Sequence, residues 1–286
     1  MRLQEELLAD DLVRLIKAGR YVVLAATVGF GLLGVVYVLI SDPIYRAEVK
    51  LVSTEEGMGL GGLAGAVGGL VGMAGLRAGG SGLAIESMAV LKSRSLVAQM
   101  IEEKQLLPTL FPDDWDASKG TWIESDPQDQ PDLRAGVDKF VRSVRSVSED
   151  RVSGEVTVSA DWTDPKLAAE WANDIAARVN RTMKHRTLER TLVNIDYLQK
   201  EIEKAALVET RAASASLLEQ ELQKLLLVRN SDEPAFRVVD PAVAPRRPVR
   251  PRPVLTVFAS MFGGLLLSVL WLLFRAFLGR TRELKQ

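Results

Sequence analysis

Two stretches without a single charged residue constrain this chain more than anything else in it: Tyr21–Ile40 (YVVLAATVGFGLLGVVYVLI) and Val254–Phe274 (VLTVFASMFGGLLLSVLWLLF). At about 20 residues, each matches the helix length that crosses the ~30 Å hydrocarbon core of a bilayer. Tyr21, Tyr37, Trp271 and Phe274 stand near the ends, where interfacial anchoring favours aromatic rings. A cleavable leader is the competing reading of the first run. The run is too long for a leader's apolar region, and Ser41-Asp42-Pro43-Ile44 offers no small-x-small cleavage pattern. Two membrane helices would place everything between them on one side.

Arg14, Lys17 and Arg20 precede the first run closely, while Arg46 and Lys50 follow at a distance, which favours a cytoplasmic N-terminus. The second run gives no vote. Arg246, Arg247, Arg250 and Arg252 precede it; Arg275, Arg280, Arg282 and Lys285 follow. The expected organisation is a cytoplasmic segment 1–20, a first span 21–40, an extracytoplasmic (periplasmic, in a cell that has a periplasm) domain 41–253, a second span 254–274 and a cytoplasmic tail 275–286. That tail is too short for a kinase. Gly263 and Gly264 are the expected close-packing positions of the second span.

The tract Gly57–Gly82 holds more than half of the chain's 22 glycines, with Gly61, Gly65 and Gly69 at four-residue spacing. A glycine-rich loop, a segment at the membrane surface or between subunits, and a third span compete here. Glycine costs about 1 kcal/mol per helical residue, which weighs against the span. Gly75 to Ser81 lacks the lysine of a nucleotide-binding loop.

Between the spans, period-two alternation predicts strands at Tyr45–Leu51 and Glu155–Trp162, with Phe236–Val239 as a third and Val144–Val147 as a shorter one. Helical spacing predicts two short helices within Ile85–Leu107, broken near Ser93 to Ser95, and another over Leu133–Arg142. Pro108–Pro131 reads as surface loop, its aspartates lacking the order of a calcium loop. A small mixed sheet is expected. Asp164-Pro165 is a strong helix start, an N-cap acceptor followed by proline at the first helical position. No proline or glycine interrupts the chain from there to about Ala206, so the helix would extend about 60 Å. Its Leu188, Leu192, Ile195, Leu198 and Ile202 form an expected packing seam for a partner helix or for other subunits. Leu218, Leu222 and Leu225 continue in a second segment after the polar stretch Glu209–Ser216, completing a long helical region over 165–229. Aspartate at Leu192 or Leu198 is expected to reduce oligomer size. Pro241, Pro245, Pro248, Pro251 and Pro253 then impose an extended connector over 241–253. Its arginines either contact lipid phosphates or an anionic chain, or sit solvated at headgroup level.

The 286 residues include no cysteine and one histidine, and 36 Lys+Arg against 37 Asp+Glu leave a net charge of -1. Thiol catalysis, cysteine metal sites and multi-histidine centres are excluded, and nothing in the balance favours nucleic acid. No nucleophile elbow, paired acids or metal-ligand spacing occurs, and His185 in Lys184-His185-Arg186 reads as a surface residue. A non-enzyme without catalytic, cofactor-binding or metal residues is expected. The expected fold class is an α+β membrane protein, two transmembrane helices flanking an α/β base domain with long projecting helices.

The order of parts resembles a known family. The motifs that carry the likeness are Tyr45-Arg-Ala47 after the first span, Leu91-Lys-Ser-Arg-Ser-Leu-Val97, and Val158-Ser-Ala-Asp-Trp162-Thr-Asp164-Pro165. Ala168-Ala-Glu-Trp171-Ala-Asn173 and Phe236-Arg-Val-Val-Asp240-Pro241-Ala-Val-Ala-Pro245 complete them. Together they are similar to the Wzz-type chain-length determinants, the polysaccharide co-polymerases. The resemblance implies a bacterial inner-membrane homo-oligomer with a periplasmic domain, in contact with membrane lipids and the polysaccharide chain. It implies action with a Wzy-type polymerase to set the length of O-antigen, capsule or exopolysaccharide, within lipopolysaccharide biosynthesis or a related system. The alternative is a scaffold of an ABC-transporter-dependent export complex.

Overall fold

The computed structural model describes residues 19–54, 82–150, 152–205 and 207–283, with the side chains of 82–83 and 276–283 excepted. The glycine-rich tract, apart from Gly82, lies outside the described residues, as do Arg14 and Lys17. The chain divides into two units, one made of its two ends up to Ile44 and from Arg247, the other of Tyr45–Arg246.

In the terminal unit, α1 (Arg20–Ile40) packs on α8 (Pro253–Glu283). Arg20–Ile40 and Pro253–Arg275 are long and apolar enough to cross a membrane. Small residues bring the two backbones together. A Cβ at Gly34 would stand 2.5 Å from Ser260 Oγ, one at Gly31 2.9 Å from Met261 Cγ, and one at Gly264 2.7 Å from Phe30 Cβ. Gly263 faces open space, with nothing within 4 Å of such an atom. The contact therefore uses Gly264 with Gly31 and Gly34 of the first helix, two positions the sequence reading did not single out.

The central unit is built on one sheet, in the order β4 (Arg145–Glu149), β5 (Glu155–Trp162), β1 (Tyr45–Ser53), β6 (Phe236–Asp240). Each neighbouring pair is antiparallel, so the expected mixed sheet is corrected to an antiparallel one. The reason is the connectivity: β4 and β5 form a hairpin, and the long helical excursion returns the chain to β1 against its direction. Alternation sends Ala47, Val49 and Leu51 of β1, with Val156, Val158 and Ala160 of β5, into the core. The opposite face carries charge pairs, Arg46 directly opposite Asp161 and Lys50 diagonal to Glu155.

α6 (Pro165–Lys204) covers the buried face. Asp164 caps it, its carboxylate accepting from Lys166 N–H at 2.8 Å, and Pro165 fits the first turn. Buried Ala168, Ala172 and Ala176 let the helix approach the sheet closely, and Ile175 and Val179 fill the remainder. Trp171 sits between Phe140 and Trp162, ring centroids at 5.5 and 5.0 Å. Around this core lie α2 (Gly82–Lys92), α3 (Arg94–Lys104), α4 (Leu107–Leu110) and α5 (Leu133–Lys139). The break between α2 and α3 falls at Ser93, whose hydroxyl caps α3 by accepting from Leu96 N–H. The expected loop Pro108–Pro131 contains a minimal hairpin, β2 (Trp115–Asp116) with β3 (Thr121–Trp122), its two tryptophans edge to face at 5.0 Å. The polar stretch Glu209–Ser216 is itself helical, part of α7 (Val208–Asn230).

Candidate functional site: a helical hairpin and its anchorage

α6 is 40 residues long, and only its first half covers the sheet; the second half packs against α7 as an antiparallel hairpin. Ile195 is buried, and Leu188, Leu198 and Ile202 are half-buried. Leu192 is 54% exposed, and the fully buried residue at that level is Thr191. The intrachain seam thus runs 188, 191, 195, 198, 202, alternating steps of three and four, with a hydroxyl in place of a leucine. From α7, Ser214, Leu218, Glu221, Leu225 and Val228 lie on the seam side. Asn194 Nδ2 bonds Glu221 Oε1 at 3.3 Å across it.

Leucines that the seam does not use stay on the surface. At 100° per residue, Leu192 lies beside the seam on α6, and Leu222 and Leu226 lie beside it on α7. Antiparallel helices place these displacements on the same flank of the hairpin. The three are 54%, 42% and 60% exposed. The flank is apolar and uncovered among the described residues. The packing set expected from sequence is therefore divided, four residues within the hairpin and Leu192 on its outside.

The hairpin is tied to the base by polar groups. Glu86 of α2 takes both guanidinium nitrogens of Arg190 at 2.8 and 2.9 Å and Arg186 at 3.4 Å. The hydrogen bonds from Arg190 hold the Glu86 carboxyl below the usual glutamate range. Arg178 joins α6 to α3, bonding Asp174 at 2.8 Å and Glu103 at 2.7 Å. Burial alone would lower its pKa, but the bonds to Asp174 and Glu103 raise it above the ordinary arginine value. Arg145 is buried without a carboxylate. It donates instead to the carbonyls of Leu91, Lys92 and Ser93 at 2.9–3.1 Å, so the C-terminal end of α2 answers its charge. Burial pulls the Arg145 guanidinium below its ordinary value.

Two asparagines on α6, seven residues and so two turns apart, grip the returning chain. Asn180 donates to Phe236 O at 2.7 Å and accepts from Phe236 N–H at 2.9 Å and Ala235 N–H at 3.2 Å. Asn173 repeats the arrangement at Ala242, with both bonds at 2.9 Å. Sequence reasoning missed both, although the Asn-x6-Asn spacing on one helix face was the available signal.

The proline-bearing connector has no regular structure before α8 except a bridge, Ile44 N–H to Arg250 O at 2.9 Å and Val249 N–H to Ile44 O at 2.8 Å. Pro241, Pro245, Pro248 and Pro251 lie along it, and Pro253 opens α8. His185 is exposed and lies 3.4 Å from Glu189. Among the described residues no three His, Cys, Asp or Glu side chains gather as a metal site.

A family described as "G-rich domain on putative tyrosine kinase" (GNVR) matches residues 211–277, which cover most of α7, β6, the connector and much of α8. No curated protein sequence matches. A full-length bacterial polysaccharide co-polymerase is similar in structure, with 14% identity, 94% of this chain and 98% of that chain covered, and a TM-score of 0.43. A fragment of WzzB, a polysaccharide co-polymerase from Salmonella Typhimurium, has 16% identity, 73% and 100% coverage, and a TM-score of 0.29.

Proposed function

We propose that this chain is a polysaccharide co-polymerase of the Wzz type, a non-enzymatic regulator of polysaccharide chain length. α1 and α8 cross the bacterial inner membrane, and the central unit stands in the periplasm with both termini in the cytoplasm. The observation that carries the reading is a 40-residue helix that outruns its sheet and continues as a hairpin with an uncovered leucine flank, in a chain bracketed by two apolar helices. Such a flank suits self-association. Leu192, Leu222 and Leu226 meet a neighbouring subunit while Leu188, Ile195, Leu198 and Ile202 hold the hairpin itself together. The polymer is O-antigen, capsule or exopolysaccharide, and the working partner is a Wzy-type polymerase.

Deleting the gene is expected to shift the modal length of the cell-surface polysaccharide on a gel without abolishing its synthesis. An unchanged length distribution would refute the proposal. Polymer trapped inside the cell would instead assign the chain to a transporter-coupled export scaffold.

A further inference from the structure

The last stretch before α8 carries three arginines, Arg247, Arg250 and Arg252, all exposed. Among the described residues none has a carboxylate within ion-pair distance. Asp42 is the one carboxylate of the same unit at this end, and it pairs with none of them. Nor does the arginine segment hang free. Its backbone is bonded at Val249 and Arg250 to Ile44, four residues beyond the end of α1, and it runs through Pro251 and Pro253 directly into α8. The backbone that carries the arginines is thereby held close in the chain to the ends of both apolar helices. Val254 and Leu255, in the first turn of α8, add backbone N–H groups without intrahelical acceptors, which also favour an anion.

We propose that Arg247, Arg250 and Arg252 form a binding site for the phosphate of anionic lipid headgroups on the side of the membrane that bears the central unit. The inference rests on the reading that α1 and α8 span the bilayer. Guanidinium donors suit phosphate because their planar fork matches two of its oxygens. Lipid rather than free phosphate is the ligand because the bridge to Ile44 fixes the arginines at the depth where headgroups lie. A basic segment next to a span is drawn to an anionic lipid surface.

The test uses the full chain reconstituted in bilayer discs of equal phosphatidylglycerol and phosphatidylcholine, followed by mild detergent extraction and native mass measurement of the retained lipid. The wild-type chain is expected to retain phosphatidylglycerol several-fold over phosphatidylcholine. Joint substitution R247Q, R250Q and R252Q should reduce that preference at least threefold, and the triple lysine variant should restore most of it. R134Q, on α5 of the other unit, should leave it unchanged. Equal retention of the two lipids by the wild type would overturn the proposal, as would an undiminished preference in a folded glutamine variant. Loss of the preference on adding millimolar inorganic phosphate would assign the site to a free anion and overturn the lipid commitment. Failure of the wild type to enter discs at all would instead count against the membrane reading beneath it.

Discussion

At the residue scale, the side chains that matter most are polar groups placed where the backbone needs a partner. Asn180 and Asn173 do for the returning chain what a further strand would do, each presenting one donor and one acceptor to Phe236 and Ala242 respectively, with Ala235 N–H as a further donor to Asn180. Asn180 is buried, so removing its amide leaves three backbone groups without partners, at about 1–3 kcal/mol each. Asn180→Ala is expected to lower the thermal midpoint of the detergent-solubilised chain by roughly 6–12 °C, taking about 1 kcal/mol for each of the three groups and 2–4 °C per kcal/mol. Loss of less than 1 °C would mean that water replaces the amide freely. Hydropathy alone passes over both asparagines, because asparagine within a helix is normally a solvated residue; only their spacing on one helix face marks them. Asp164 and Pro165 were legible, since capping is a local matter decided by neighbours in the chain.

At the scale of elements, the strands, the long helix and the break at Ser93 follow from periodicity, and periodicity also explains where the reading went astray. A seam sought among leucines selects Leu192, whereas the packed position is Thr191, one residue earlier. The hydroxyl is hidden from any count of apolar residues, and only the alternating three-four spacing would have exposed it. Strand direction likewise depends on how the chain returns, which no local pattern records, hence a mixed sheet expected and an antiparallel one found. Leu192 and Ile195, about one turn apart in the second half of α6, separate two roles. Leu192→Asp is expected to leave the thermal midpoint within about 2 °C, as for a surface change, and to reduce the native mass of the assembly. Ile195→Asp buries a charge between α6 and α7 and should unfold the hairpin, with a loss of helical circular dichroism. An intact assembly in Leu192→Asp would restrict this flank to solvent.

At the scale of the whole molecule, the two apolar runs were the most legible feature, because spanning length is a property of composition alone. Their mutual packing was not. Gly31 and Gly34 are indistinguishable in sequence from Gly29, which faces open space, and only the partner helix separates them. The proposed arrangement predicts that the central unit and the C-terminus lie on opposite sides of the membrane. The chain has no cysteine, so introduced ones report alone. A membrane-impermeant maleimide applied to cells with a permeabilised outer envelope is expected to label Ser118→Cys, on the exposed turn between β2 and β3, and to spare a cysteine appended at the C-terminus. The reverse pattern would invert the topology.

The sheet ends at β6, and an outermost strand ordinarily presents free N–H and C=O groups that invite a strand from a neighbouring molecule. Thr54 N–H bonds Ala235 O at 3.1 Å, so the alternation of an antiparallel ladder turns the groups of Phe236 away from β1, toward that open side. There Asn180 takes both of them, and Asn173 takes the pair at Ala242 just past the strand. The chain's own helix thus seals the margin against runaway β-stacking. Copies of this chain that met along that edge would find the backbone groups of Phe236 and Ala242 already taken, and could not extend a shared sheet through them.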